Sequence, residues 1–143
     1  MAEGKKILMI DDDANLVAVF KLVFERVGYR FESAGSAAEG LAAIERLEPD
    51  LVILDVIMED FVAGFRVVSE LRADPASRYA RYAATPIVML TSVTSKTQLD
   101  FAERVGTALL PVDAFVEKPV KPAKMLATVE EVLARAAGGG AAG

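Results

Sequence analysis

Neither cysteine nor histidine occurs among the 143 residues of the chain. Without thiols there is no disulfide framework, no zinc–thiolate site and no cysteine nucleophile. Without imidazole there is no Ser-His triad, no histidine general base and no phosphohistidine within this chain. Basic charge is also in short supply, with 16 Lys plus Arg against 21 Asp plus Glu and a formal net charge of −5. Binding to phosphate backbones or anionic lipid needs a basic face, so neither nucleic acid nor membrane is expected as a partner. Long apolar runs are missing as well: the longest candidates are cut by Lys21 and Asp55, well short of the roughly 18 residues of a membrane span. Ile7 to Ile10 is far shorter than the core of a signal peptide and runs into three aspartates. A cytoplasmic location is expected. The chemistry left to the chain runs on carboxylates, hydroxyls and lysine, with proteins and cations as partners.

What is present suits one globular domain. Hydrophobic residues make up 53% and charged residues 26%, and a chain of this length buries roughly 68–70% of its unfolded surface without staples. Residues 1–137 are read as that domain, and 138–143, glycine and alanine only, as a frayed tail.

Short apolar runs alternate with helical patterns along the chain. Ile7 to Ile10 reads as a buried strand, and Leu16, Val19, Phe20, Val23, Phe24 and Val27 recur at helical spacing up to Gly28. Tyr29 to Ser33 alternates as a strand, and Ser36-Ala37-Ala38-Glu39 forms a capping box for a second helix ending before Pro49. Leu51 to Leu54 is a third strand, followed by a helix that carries Phe65, Val68 and Leu71 until Asp74-Pro75. Residues 74–85 lack periodicity and predict an ordered, irregular surface connection. Pro86 to Leu90 reads as a fourth strand, 95–105 as a helix ended by Gly106, Ala114 to Val116 as a fifth strand, and a last helix starts at Pro122. Five strands alternating with five helices predict a three-layer α/β domain around a parallel sheet, with ligands at the carboxyl ends of the strands.

Those strand ends carry the polar residues. Asp11 and Asp12 follow the first strand, Asp55 the third and Thr91 the fourth, with Lys118 just beyond the fifth. Carboxylates brought together there repel by about 4 kcal/mol per pair at 4 Å and an effective dielectric of 20, so they call for a cation. Oxygen-only ligands suit Mg²⁺ or Mn²⁺. Asp55 can also act as a nucleophile toward phosphorus, with Thr91 and Lys118 sharing charge on the phosphoryl oxygens. Asp13 is read as the helix cap.

This constellation, the acidic pair in IDDD, the aspartate in LVILDVIM, the hydroxyl in VMLTS and the lysine in FVEKP, resembles the receiver domain of bacterial two-component response regulators. The likeness runs from about Lys5 to Ala136. It implies a flavodoxin-like (βα)5 fold with a parallel sheet of order 2-1-3-4-5. It also implies a signalling switch that takes a phosphoryl group from a histidine kinase or histidine phosphotransfer protein and is not a conventional enzyme. By similarity, Asp55 is the phosphoacceptor. Asp11, Asp12, Asp55 and the backbone carbonyl of Ile57 hold the metal, Thr91 and Lys118 hold the phosphoryl group, and Phe115 with Thr91 forms the switch. The sequence departs from the family pattern at Glu59, where proline is usual, in a stretch to Gly64 one residue longer than usual, and in longer connections at 74–85 and 106–113. Ile57 and Val93, the positions flanking the approach of water, are apolar and imply slow loss of the phosphoryl group.

Two other readings fit less well. A haloacid dehalogenase-type phosphohydrolase wants a second aspartate two residues after the nucleophile, where this chain has Ile57. A nucleotide or flavin module wants a loop rich in glycine or hydroxyls after the first strand, where this chain has three aspartates that repel phosphate. With only a helix and a Gly/Ala tail after the receiver, a stand-alone receiver without an output domain is expected, acting on an unknown downstream protein.

Overall fold

A computed structural model describes residues 4–55, 63–73, 76–92, 113–118 and 120–142. Its strands are β1 (Lys6–Ile10), β2 (Arg30–Ala34), β3 (Leu51–Asp55), β4 (Ile87–Ser92) and β5 (Ala114–Lys118). They form one five-stranded sheet in the order β2-β1-β3-β4-β5, and every neighbouring pair is parallel. The helices are α1 (Ala14–Arg26), α2 (Ala37–Leu47), α3 (Ala63–Val68, continued by a π-helical turn over Ser69–Ala73) and α4 (Pro122–Ala142). The helix expected at 95–105 lies outside the described residues, as do Ile57, Glu59, Val93 and residues 106–112 of the later connection.

Burial on both faces explains why the central strands are continuously apolar. Along β1 and β3 the side chains alternate between two cores. Leu8, Ile10, Val52 and Leu54 join Leu41, Ile44, Val67, Val68 and Leu71 from α2 and helix three on one face. Ile7, Met9, Leu51 and Ile53 join Phe20, Phe24, Met125, Val129 and Val132 from α1 and α4 on the other. Phe24 anchors the second core, with its ring centroid 5.4 Å from that of Tyr29 and 5.6 Å from that of Phe31.

Register at the amino-terminal edge is fixed twice by the same device. Asp50 donates its backbone N–H to the Lys6 carbonyl at 2.8 Å and accepts the Lys6 N–H on Oδ2 at 2.7 Å. Asp113 repeats this with Ile87, at 2.8 and 2.7 Å. Each aspartate precedes its strand and closes a ring with the first residue of the neighbour. A one-residue slip would therefore cost two charge-assisted or backbone bonds as well as the pattern of burial.

Several boundaries differ from the sequence reading. β5 reaches Lys118, two residues past the expected Val116, because ladder pairs Thr91–Glu117 and Ser92–Lys118 continue it; backbone pairing is indifferent to the charge of the side chains. β2 is shifted by one residue to end at Ala34, and α4 continues to Ala142 where a frayed tail was expected. Elongating an existing helix adds one hydrogen bond per residue fixed, without a new nucleation cost. The 76–85 connection is ordered: it holds a 3-10 turn over Ala80–Tyr82, and Arg78 grips Glu45 of α2 through both carboxylate oxygens at 2.9 and 2.8 Å.

One glycine sets the distance between α2 and the sheet. A Cβ on Gly40 would meet Ile10 Cδ1 at 2.5 Å and Cγ1 and Cγ2 at 3.0 Å. Alanine at an ordinary helix interior position is better than glycine by about 1 kcal/mol, whereas overpacking a core costs about 1–3 kcal/mol. Gly40→Ala is expected to destabilise the domain by about 1 kcal/mol net, seen as a melting temperature lower by a few degrees. Adding Ile10→Val, which removes the nearest methyl, should recover part of the loss. A Gly40→Ala variant that melts above the parent would show that α2 can retreat freely from β1.

Candidate functional site

The carboxyl ends of β1 and β3 lie side by side at the point where the strand order reverses. β1 leads outward to β2 and β3 leads the other way to β4, so the connecting segments part and leave a crevice. Ile10 pairs with Leu54, which puts Asp11 and Asp55 next in line. The Asp11 N–H extends the ladder one step by donating to the Ala34 carbonyl at 3.0 Å. Both side chains are buried, Asp11 at 3% and Asp55 at 5% exposure, while Asp12 is exposed.

Asp11, Asp12 and Asp55 each offer a carboxylate oxygen, all within 4.8 Å of one another. The three neighbouring aspartates of the first loop divide their work. Asp13 caps α1, its Oδ1 accepting the N–H groups of Asn15 and Leu16, both at 3.1 Å. Its own N–H donates to Asp11 Oδ1 at 2.9 Å. The cap residue thus orients the buried carboxylate beside it. At 4.8 Å and an effective dielectric near 20, ionised Asp11 and Asp55 repel by about 3.5 kcal/mol.

Thr91 follows Leu90, which pairs with Asp55, and Thr91 itself pairs with Glu117. Lys118 pairs with Ser92 as the last residue of β5, not beyond it as the sequence suggested, and Phe115 pairs with Met89. The backbone therefore brings Asp11, Asp55, Thr91 and Lys118 to one end of adjacent strands. Every carboxylate of the cluster was named from the sequence. The bond from Asp13 to Asp11 was not, although three consecutive aspartates before a helix are the signal that could have suggested it.

An all-oxygen donor set of this kind fits a hard divalent cation. Carboxylates at the switch point of a 2-1-3-4-5 parallel sheet define a flavodoxin-like α/β domain with an acidic pocket. The chain belongs to the response regulator receiver domain family, whose model matches residues 7–130. It is 32% identical over 131 residues to the DNA-binding response regulator MtrA of Mycolicibacterium paratuberculosis, across 92% of this chain and 52% of that protein. Among solved structures, it resembles a CheY-like receiver domain protein from Methanospirillum hungatei (28% identity, TM-score 0.74, covering 94% of this chain and 97% of the other). It likewise resembles the chemotaxis response regulator CheY4 of Vibrio cholerae (29% identity, TM-score 0.72, covering 90% and 98%). The chain spans about half the length of the curated relatives it matches. Among the described residues, no helix is long and apolar enough to cross a membrane.

A cation that neutralises the cluster stabilises the fold by mass action, about 2.7 kcal/mol at a hundredfold excess over its dissociation constant. Melting temperature is expected to rise with Mg²⁺. Asp12→Asn should raise the melting temperature in EDTA and lose most of the response to Mg²⁺. An undiminished response in that variant would place the metal elsewhere.

Proposed function

We propose that this receiver is a phosphorylation-dependent switch, accepting a phosphoryl group on Asp55 from a histidine kinase or histidine phosphotransfer protein. The observation that carries the reading is the carboxylate cluster at the switch point of a chain matched by the receiver model across 7–130. In the proposed step, an Asp55 carboxylate oxygen attacks phosphorus, an acyl phosphate O–P bond forms, and the P–N bond to the donor imidazole breaks. The leaving imidazole keeps its electron pair and its other ring proton. Asp11, Asp12 and Asp55, with the Ile57 carbonyl that the family resemblance implies, would hold Mg²⁺ or Mn²⁺, which would supply positive charge against the phosphoryl oxygens.

The remaining roles fall to side chains of the chain itself. Asp11, held by the Asp13 N–H, keeps its carboxylate directed at the crevice and does not react. In this reading the Thr91 hydroxyl donates to one phosphoryl oxygen and the Lys118 ammonium pairs with another. Drawing Thr91 toward the phosphoryl group frees space for Phe115 to turn inward. A partner protein then reads the changed face that includes β5 and α4.

Incubation with acetyl phosphate and Mg²⁺ should add one phosphoryl group to the wild-type chain and none to Asp55→Asn, as read by intact mass. Equal incorporation in both would overturn Asp55 as the acceptor.

A further inference from the structure

At the opposite end of the sheet from the carboxylates, a cleft of about 160 Å³ lies between the starts of β1 and β2 and the end of α2. Lys6, Arg30 and Arg46 line it together with one acid, Glu32, and its apolar wall includes Leu47 and Pro49. The lining counts three cations and one anion, and even with the Asp50 carboxylate beside it on the Lys6 N–H this is a local excess of positive charge in a chain whose net charge is −5.

Part of that charge has a structural task. The Lys6 ammonium donates to the Leu47 carbonyl at 2.9 Å, which satisfies the carboxyl end of α2, and Arg46 stands in its last turn, where a cation suits the helix dipole. Arg30 has no such task, since it begins edge strand β2 on the other side of the cleft. Among the described residues, neither the Arg30 nor the Arg46 guanidinium makes an ion pair or side-chain hydrogen bond, unlike Arg78, which is held by Glu45. Glu32 is two residues from Arg30 on the same strand and borders the cleft without pairing with either arginine.

From this we infer a second ligand site: a cleft that binds the phosphate group of a small molecule, with Arg30 and Arg46 donating from opposite walls and Lys6 adding charge from the floor. A guanidinium is matched to phosphate by its planar fork of donors. The volume admits one phosphate group with a small organic part against Leu47 and Pro49, not a folded partner. Lys6 begins β1 and Asp11 directly follows its last residue, five positions on and about 17 Å away at 3.3 Å per residue, so this ligand does not touch the acceptor rim. The inference does not depend on phosphorylation of Asp55.

Titrating the full chain in EDTA with inorganic phosphate and, separately, with AMP, followed by amide NMR shifts, tests it. Saturable shifts are expected at residues 6–7, 30–32 and 46–48, with the Asp11 and Asp55 amides unmoved. Arg30→Ala should weaken binding about tenfold while leaving the melting temperature unchanged, because Arg30 has no part in ending α2. Glu32→Gln should tighten binding by removing a repelling charge, and Asp55→Asn should not alter it. Tighter binding of AMP than of phosphate identifies an organic phosphate as the ligand, and equal binding identifies the free anion. Shifts that do not saturate, that chloride reproduces at equal ionic strength, or that survive Arg30→Ala unchanged would overturn the site.

Discussion

Mutual repulsion of two buried carboxylates, Asp11 and Asp55, is the constraint around which the rest of this domain is arranged. Their oxygens lie within 4.8 Å at 3% and 5% exposure, and the backbone keeps the two strand ends side by side. The parallel ladder between β1 and β3 provides that backbone. Its hydrogen bonds are buried under two cores, and its register is locked at the far end by the Asp50–Lys6 ring. The stability of the hydrophobic layers thus offsets the electrostatic cost at the rim. A bound cation converts that cost into affinity.

Close packing supports the sheet on both faces. Gly40 lets α2 approach Ile10, the residue immediately before Asp11, and on the other face of the sheet Phe24 packs α1 against Tyr29 and Phe31. Interiors this dense transmit displacement and do not absorb it.

How much of this was legible in the sequence depended on the kind of interaction. Period-two and period-3.6 patterns gave the alternation of strands and helices, because burial on both faces leaves Ile7 to Ile10 and Leu51 to Leu54 unbroken by polar residues. The acid cluster was legible because a carboxylate placed just after an apolar strand has nowhere to go but the rim. Boundaries set by backbone pairing were not legible: Glu117 and Lys118 belong to β5 through ladder bonds that no side-chain pattern records. Nor was the Asp50 and Asp113 device, since an isolated aspartate before a strand reads as a turn residue. The αL conformation of Glu48, at φ 50°, was equally hidden, because helix ends of this kind usually signal themselves with glycine.

The domain has two chemically opposite poles joined by one strand. β1 carries Lys6 at its start and leads into Asp11, so acidic and basic ends are separated by five residues of rigid backbone. Parallel topology favours this separation. Every strand enters the sheet at the same edge, where the ends of preceding helices bring partial negative charge and attract cations such as Lys6 and Arg46. Every strand leaves at the opposite edge, where α1 begins and its amino-terminal N–H groups tolerate anions. The direction of the helices thus accounts for Lys6 and Arg46 at one end of the sheet and for Asp13 at the start of α1 at the other. Asp50 and Asp113, which tie strand starts together at the first end, and Lys118 at the second follow other constraints than the helix dipoles, and Arg30 serves no helix end.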